Sequence, residues 1–235
     1  MKFDYQGSEL ALFATAVHWK SYVADTLRPF LGVRVLEVGA GFGANIPYLA
    51  RGASRHWVAL EPDPELAAAI KARVAAGALP SSCMVINGTI DELGADELFD
   101  SVLYIDVVEH IADDRGELAR AARHLGHAGQ LIVLAPAHQF LYSPFDAAIG
   151  HHRRYNLAAL EALTPENCVV RAARMLDSVG FFASLANRLV LRSAAPQPGQ
   201  IDFWDRWLVP LSRRIDPLTA FRFGKTAVIV WQRVA

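Results

Sequence analysis

Val33-Arg34-Val35-Leu36-Glu37-Val38-Gly39-Ala40-Gly41-Phe42-Gly43 decides the fold. A β-branched apolar run stops at three alternating glycines, and Asn45 to Arg51 then takes on helical character. Such a run reads as a buried parallel strand, a tight turn and a helix. Glycines at 39, 41 and 43 permit torsions that a Cβ forbids, and they let a ligand approach the main chain closely. The stretch is therefore a nucleotide-binding turn.

Two cofactors compete for it. With Ala44 the run satisfies Gly-x-Gly-x-x-Ala, the dinucleotide fingerprint, and Glu61 after the next strand stands where an acid would hold a ribose diol. Glu37, two residues before the first glycine, argues the other way. A carboxylate at that mouth repels a pyrophosphate and suits an ammonium or sulfonium. S-adenosylmethionine carries both cations, a ribose diol and no phosphate.

The run Val35 to Gly43 resembles the first motif of the class I S-adenosylmethionine-dependent methyltransferases, and three later segments follow in that family's order. Ala59-Leu60-Glu61-Pro62-Asp63 is similar to the acidic end of its second strand, Asn87-Gly88-Thr89-Ile90 to the turn after its third, and Leu103 to Ile111 to its fourth-strand motif. The resemblance covers roughly residues 31 to 136. It implies a Rossmann-like α/β fold with a seven-stranded sheet of order 3-2-1-4-5-7-6, strand seven antiparallel, and helices on both faces. An N-terminal helix and a cap built from insertions around strands five to seven would complete it. One domain over residues 1–235 is expected: a helical cap to 30, a cofactor-binding core over 31–136, cap elements at 137–166 and 181–224, and a final strand.

Composition is compatible with this. A chain of 235 residues, 53% apolar, can bury a sizeable core. The net charge of -1 gives no global attraction to nucleic acid. Two cysteines, Cys83 and Cys168, make no disulfide framework. No apolar run approaches the ~20 residues needed to cross a bilayer, so a cytoplasmic protein is expected, as a monomer or homodimer.

Periodicity places one helix over Ser8 to Leu27, with Leu12, Ala16, Trp19 and Val23 on one side, and strands at 33–38, 56–60, 83–86, 101–105, 130–135, 167–175 and 226–232. Helices follow at 64–76, 115–125, 157–163 and 181–191, with a turn over Gly126 to Gly129. Strands alternating with helices argue for a parallel sheet.

The resemblance implies cofactor contacts at Glu37, Gly39, Gly41, Gly43, Glu61, Pro62, Thr89, Ile90, Asp91 and Asp106. Many relatives carry an aspartate directly after the glycine of the third motif. Here Thr89 stands there, which leaves Asp91 on the adenine amine or Ile90 as an adenine wall. Asp106 would face the ammonium or the transferring methyl. His110 is either a structural residue or a base, and Trp19 either core or cavity wall.

Ala137 to Asn156 is the most polar part, with three histidines, two arginines and two tyrosines in twenty residues. Its Tyr-Ser-Pro-Phe-Asp and Gly-His-x-Arg-Arg-Tyr elements resemble a bacterial subgroup of these enzymes often associated with glycosyltransferases. Methyl transfer displaces a sulfonium, so the protein must align the nucleophile and, for a hydroxyl, remove its proton. His151 and then His138 are the candidate bases, with Tyr142 as orienting donor. Arg153, Arg154, His152, Tyr155 and Trp19 are candidate contacts to a small-molecule or glycan-like acceptor. Asp146 either orients a histidine or pairs with an arginine. A zinc site of His138, His151 and His152 lacks a completing cysteine or carboxylate, so no metal is expected.

The expected activity is S-adenosylmethionine-dependent methyl transfer, giving S-adenosylhomocysteine, with O-methylation ahead of N-methylation. An NAD-dependent oxidoreductase and a non-catalytic nucleotide-binding module are the alternatives. Beyond a Pro-rich linker at Ser193 to Gly199, Ile201 to Phe221 mixes aromatics with arginines: a cap or dimer helix, or one that touches a membrane surface.

Overall fold

The computed structural model describes residues 9–51, 55–186, 188 and 197–234. The helix start expected at Ser8, the end of the helix expected over 181–191, and residues 193–196 of the linker lie outside them. Seven strands form one sheet of order β3-β2-β1-β4-β5-β7-β6. They are β1 Arg34–Val38, β2 His56–Glu61, β3 Cys83–Asn87, β4 Phe99–Ile105, β5 Leu125–Pro136, β6 Cys168–Leu176 and β7 Thr226–Arg233. Strands β1 to β5 pair in parallel, and β7 runs antiparallel between β5 and β6, as expected.

The inner strands β1, β2, β4 and β7 read as largely apolar runs because both faces are covered. Leu36, Val38, Leu60 and Tyr104 face one core, and Val35, Trp57, Ala59 and Leu103 the other. Alternation puts Glu37 on the second face, buried with Val35.

The helices among the described residues are α1 Glu9–Ala14, α2 Val17–Leu27, α3 Ile46–Leu49, α4 Pro64–Ala75, α5 Asp114–Arg123, α6 Pro144–Ala148, α7 Leu157–Glu161, α8 Ser178–Ala186, α9 Pro198–Phe203 and α10 Val209–Ile215. Several differ from the pattern reading. The single N-terminal helix is broken at Thr15-Ala16, where the Thr15 hydroxyl bonds back to the Leu12 carbonyl. The turn over Gly126 to Gly129 is a bulged excursion within β5: Phe99 pairs with Leu125, and the register resumes at Ser101 with Gln130. Val108–His110 is one 3₁₀ turn rather than a packing helix. The expected C-terminal helix carries a π-turn over Trp204–Leu208, ahead of Pro210, which has no N–H for the regular ladder.

Buried acids tie the cap helices to the sheet. Asp216 accepts from Tyr22 Oη at 2.7 Å and Asp177 N at 2.7 Å. Asp177, at the end of β6, accepts from Trp204 Nε1 at 2.7 Å and Ser212 Oγ at 2.6 Å. Asp205 accepts from the first-turn amides of α2, His18 N at 3.1 Å and Trp19 N at 2.8 Å. One roof over the carboxyl edge of the sheet results.

Candidate active site

The glycine turn ends β1 with Gly39, Gly41 and Gly43 all in the left-handed region, at φ 67°, 56° and 65°. A Cβ on Gly39 would stand 2.7 Å from Val107 Cγ2, whereas one on Gly41 would meet only the Leu10 methyls at 3.6 and 3.7 Å. The first glycine is demanded by packing as well as torsion, and the second opens the backbone to a ligand. Gly39 and Gly41 border a cavity of about 1100 Å³ that lies between the sheet edge and the roof. A drug-sized ligand fills roughly 300 to 1000 Å³, so two molecules can share this space.

Glu37 and Glu61 do not border that cavity. Glu37 accepts from Trp57 Nε1 at 3.1 Å and Asn45 Nδ2 at 3.4 Å, and burial pushes its carboxyl up to about 7. Because its carboxyl is turned into the core, it reaches the cavity only through Asn45, so the repulsion of phosphate expected of it is indirect. Glu61 shapes the turn: it accepts from Gly41 N at 2.7 Å and Asp63 N at 2.9 Å, and burial raises its carboxyl to about 6. Of the expected adenine-side residues, Ile90 is buried in the core and Asp91 is exposed, 3.3 Å from Arg120. Pro62, Thr89, Ile90 and Asp91 lie off the cavity wall, as does Gly43.

Asp106, at the end of β4 with φ 54°, faces the cavity. Burial pushes its carboxyl up, against the pull of His151, Lys20 and Lys225. Lys20, from α2, also borders the cavity, and burial lowers its ammonium to about 8 while Asp205 and Asp106 oppose. Lys225 lies 3.9 Å from the centre of the Trp204 ring and 3.4 Å from Asp177. Trp19 is on the wall beside Lys20.

The opposite wall comes from Ala137 to Asn156. Ser143-Pro144-Phe145-Asp146 is a helix start, with Pro144 first in α6 and Ser143 and Asp146 in a capping box. The cap leaves the Asp146 carboxylate, 1% exposed, to accept from His151 Nδ1 at 3.0 Å and from Arg154 Nε at 2.8 Å and Nη2 at 2.9 Å. Asp146 thus does both things open to it from sequence. Burial opposes its ionisation, yet the His151 bond and the Arg154 guanidinium hold its carboxyl well below the ordinary range. With Nδ1 engaged, His151 presents Nε2 to Glu109, 3.8 Å from Oε1. Tyr142 orients the same residue by donating from its hydroxyl to the His151 carbonyl at 2.6 Å.

Other candidates are engaged elsewhere. Arg153 donates to Asp114 at 2.6 Å, and Tyr155 donates to the same oxygen at 2.7 Å. His138 bonds the Gly224 carbonyl at 2.9 Å through Nε2 and packs on Phe140 and Phe181. His152 donates its backbone N–H to the Glu109 carbonyl at 2.8 Å. None of these four borders the cavity, whereas His151 and Arg154 do.

Residues 36–133 match the methyltransferase domain family. Over 112 residues the chain is 38% identical to a ubiquinone biosynthesis O-methyltransferase of Azorhizobium caulinodans, an alignment spanning 47% of this chain and 43% of that relative, less than half of either. Among solved structures, geranyl diphosphate methyltransferase in complex with S-adenosylmethionine aligns with a TM-score of 0.66 at 13% identity, over 98% of this chain and 93% of that one. A [4+2]-cyclase aligns with a TM-score of 0.62 at 16% identity, over 91% and 80%. These two likenesses establish the fold. The sequence match to the methyltransferase domain family is confined to residues 36–133, less than half of the chain.

The methyltransferase match contains the glycine turn, Glu61, Asp106 and Glu109, while His151, Arg154 and the roof lie beyond it. Lys20, Lys225 and Glu109, all on the cavity wall, were not among the candidates read from sequence. Glu109 is fully buried on the cavity wall with neither carboxylate oxygen hydrogen-bonded, and burial beside Asp106 raises its carboxyl well above the ordinary range. Its apolar neighbours Val107, Val108 and Ile111 hid it in what reads as a packing segment.

Proposed function

We propose that this protein transfers the methyl group of S-adenosylmethionine to a hydroxyl of a small or glycan-like acceptor, with an amine as the second choice. The observation that carries the reading is one cavity bordered by the Gly39–Gly41 turn and Asp106 on the cofactor side and by His151, oriented by Asp146, on the other. Gly39 and Gly41, on the turn that Glu61 shapes, would hold the adenosyl part, and Asp106 the ammonium.

Displacement at the methyl carbon is in line: the acceptor oxygen forms the new C–O bond as the C–S pair leaves with sulfur. The leaving thioether needs no acid. The protein has to align the two molecules and accept the acceptor's proton, and a neutral imidazole with Nδ1 held by a carboxylate is suited to this. Arg154 and Lys20 add positive charge for an acidic acceptor. The same fold carries a [4+2]-cyclase, so the product decides.

The test is to incubate the protein with S-adenosylmethionine and a panel of phenols, sugars and amines, and to follow S-adenosylhomocysteine by mass spectrometry. Acceptor-dependent product is expected. Cofactor binding with no product from any acceptor would support a non-catalytic module, and binding of NADH alone would support an oxidoreductase.

A further inference from the structure

Glu109, His110 and His151 bring one ligand atom each within 4.8 Å of one another on the cavity wall. Native folds seldom leave a buried carboxylate with both oxygens unbonded, and such a group marks a missing ligand. The nearest partner to Glu109 is His151 Nε2, whose 3.8 Å separation is too long for a hydrogen bond. It is the spacing of two atoms that share a cation: bonds of about 2.0 to 2.2 Å put neighbouring ligands about 3 to 4 Å apart. Closing the set calls for its 4.8 Å span to shorten by about an ångström, within reach of side-chain rotation.

The outer contacts point the same way. Asp146 takes His151 Nδ1–H at 3.0 Å and so leaves the Nε2 lone pair facing Glu109, the carboxylate–histidine–metal arrangement. That carboxylate is itself fixed by Arg154 and Ser143. The His110 ring stands edge-on to His151, with centroids 4.5 Å apart. Three His and Glu donors thus converge on one point, with the His151 ring anchored from behind.

We propose that Glu109, His110 and His151 bind one divalent transition-metal ion, of the zinc, manganese or iron(II) class, with its remaining coordination positions open to the cavity. This grouping differs from the three histidines considered from sequence: His138 and His152 take no part, and a carboxylate completes the set. The use of the ion rests on the methyl-transfer reading. An acceptor hydroxyl coordinated to it loses its proton to water at neutral pH, and the oxygen anion attacks the methyl carbon. His151 then serves as a ligand, and solvent takes the proton.

The protein is stripped with a chelator and titrated calorimetrically with Zn²⁺ and with Mn²⁺. One ion per chain is expected, with Glu109→Gln and His110→Ala each weakening binding at least about tenfold, and His127→Ala, an exposed histidine remote from the cavity, without effect. Cobalt-loaded protein should show visible ligand-field bands that Glu109→Gln removes. Metal-free Glu109→Gln should melt no lower than the metal-free parent, since an isosteric amide replaces a buried carboxylate, and this separates folding from binding. No saturable binding at millimolar ion, or binding unchanged in Glu109→Gln, would overturn the proposal. If S-adenosylhomocysteine still binds in that case, the methyl-transfer reading stands with His151 as proton acceptor. If it does not bind, both fall.

Discussion

Asparagine at position 146 keeps the shape of the most heavily used carboxylate in the site and removes its charge. One oxygen accepts from His151 Nδ1 at 3.0 Å and Arg154 Nε at 2.8 Å, and the other from Arg154 Nη2 at 2.9 Å, Ser143 N at 2.8 Å and Ser143 Oγ at 2.7 Å. An amide nitrogen must take the place of one oxygen, and on either side it meets a donor that cannot reverse: Arg154 Nε on one, Arg154 Nη2 and Ser143 N on the other. Two charge-assisted bonds are lost, at about 1.5 kcal/mol or more each. The guanidinium left behind is only partly buried, which keeps the total near the lower end for a broken buried pair, about 3 kcal/mol. For a chain of this size that is a fall in melting temperature of about 6 to 12 °C. The folded-state pKa of Asp146 is depressed, so its stabilisation is full above the unfolded value near 4 and disappears as pH falls below it. The gap between parent and Asp146→Asn should therefore be constant from about pH 5 upward and narrow under acid. Turnover should fall by about 10² or more, because His151 loses its tautomer and aim. Thermal melts at pH 3 and pH 7 with a single-turnover assay measure both effects. A melting temperature within about 2 °C of the parent, or unchanged turnover, would refute the reasoning.

Three further outcomes follow from the turn and its carboxylates. Glu37 has its folded-state pKa raised to about 7 by burial, so the folded protein keeps a proton that the unfolded chain has released between about pH 4.5 and 7. Its contribution is full below that window and lost across it, by up to about 3 kcal/mol. Glu37→Gln should thus melt higher than the parent at pH 8 and converge with it near pH 5; a difference independent of pH would remove the buried proton. Gly39→Ala, at φ 67° and 2.7 Å from Val107 Cγ2, should lose more stability in urea than Gly41→Ala, which has space but should bind cofactor poorly; the opposite order would show that the turn is read the wrong way round. Glu61→Ala should weaken S-adenosylhomocysteine binding by about 1 to 3 kcal/mol in a calorimetric titration, and unchanged affinity would remove Glu61 from the cofactor's support.

Much of the fold was legible because most strands hold an apolar run bounded by Gly, Pro or a charged residue, and the glycine turn sets its direction. Breaks inside elements were less so. Thr15 stops a helix by bonding back to Leu12, and the π-turn before Pro210 depends on one missing N–H; neither disturbs the apolar pattern that periodicity measures. In the site, the polarity of Ala137 to Asn156 announced chemistry but not which residues carry it. Arg153 and Tyr155 are drawn away by Asp114, distant in sequence, and His151 is selected by the capping box that fixes Asp146. Glu109 carried no local signal, because what distinguishes it is the absence of a partner in three dimensions.

The most direct test of the central claim is calorimetric titration of the purified protein with S-adenosylhomocysteine and, separately, with NADH. Saturable micromolar binding of S-adenosylhomocysteine alone is the predicted result. Binding of NADH alone would contradict it, and with it the assignment of every residue on the carboxyl edge of the sheet.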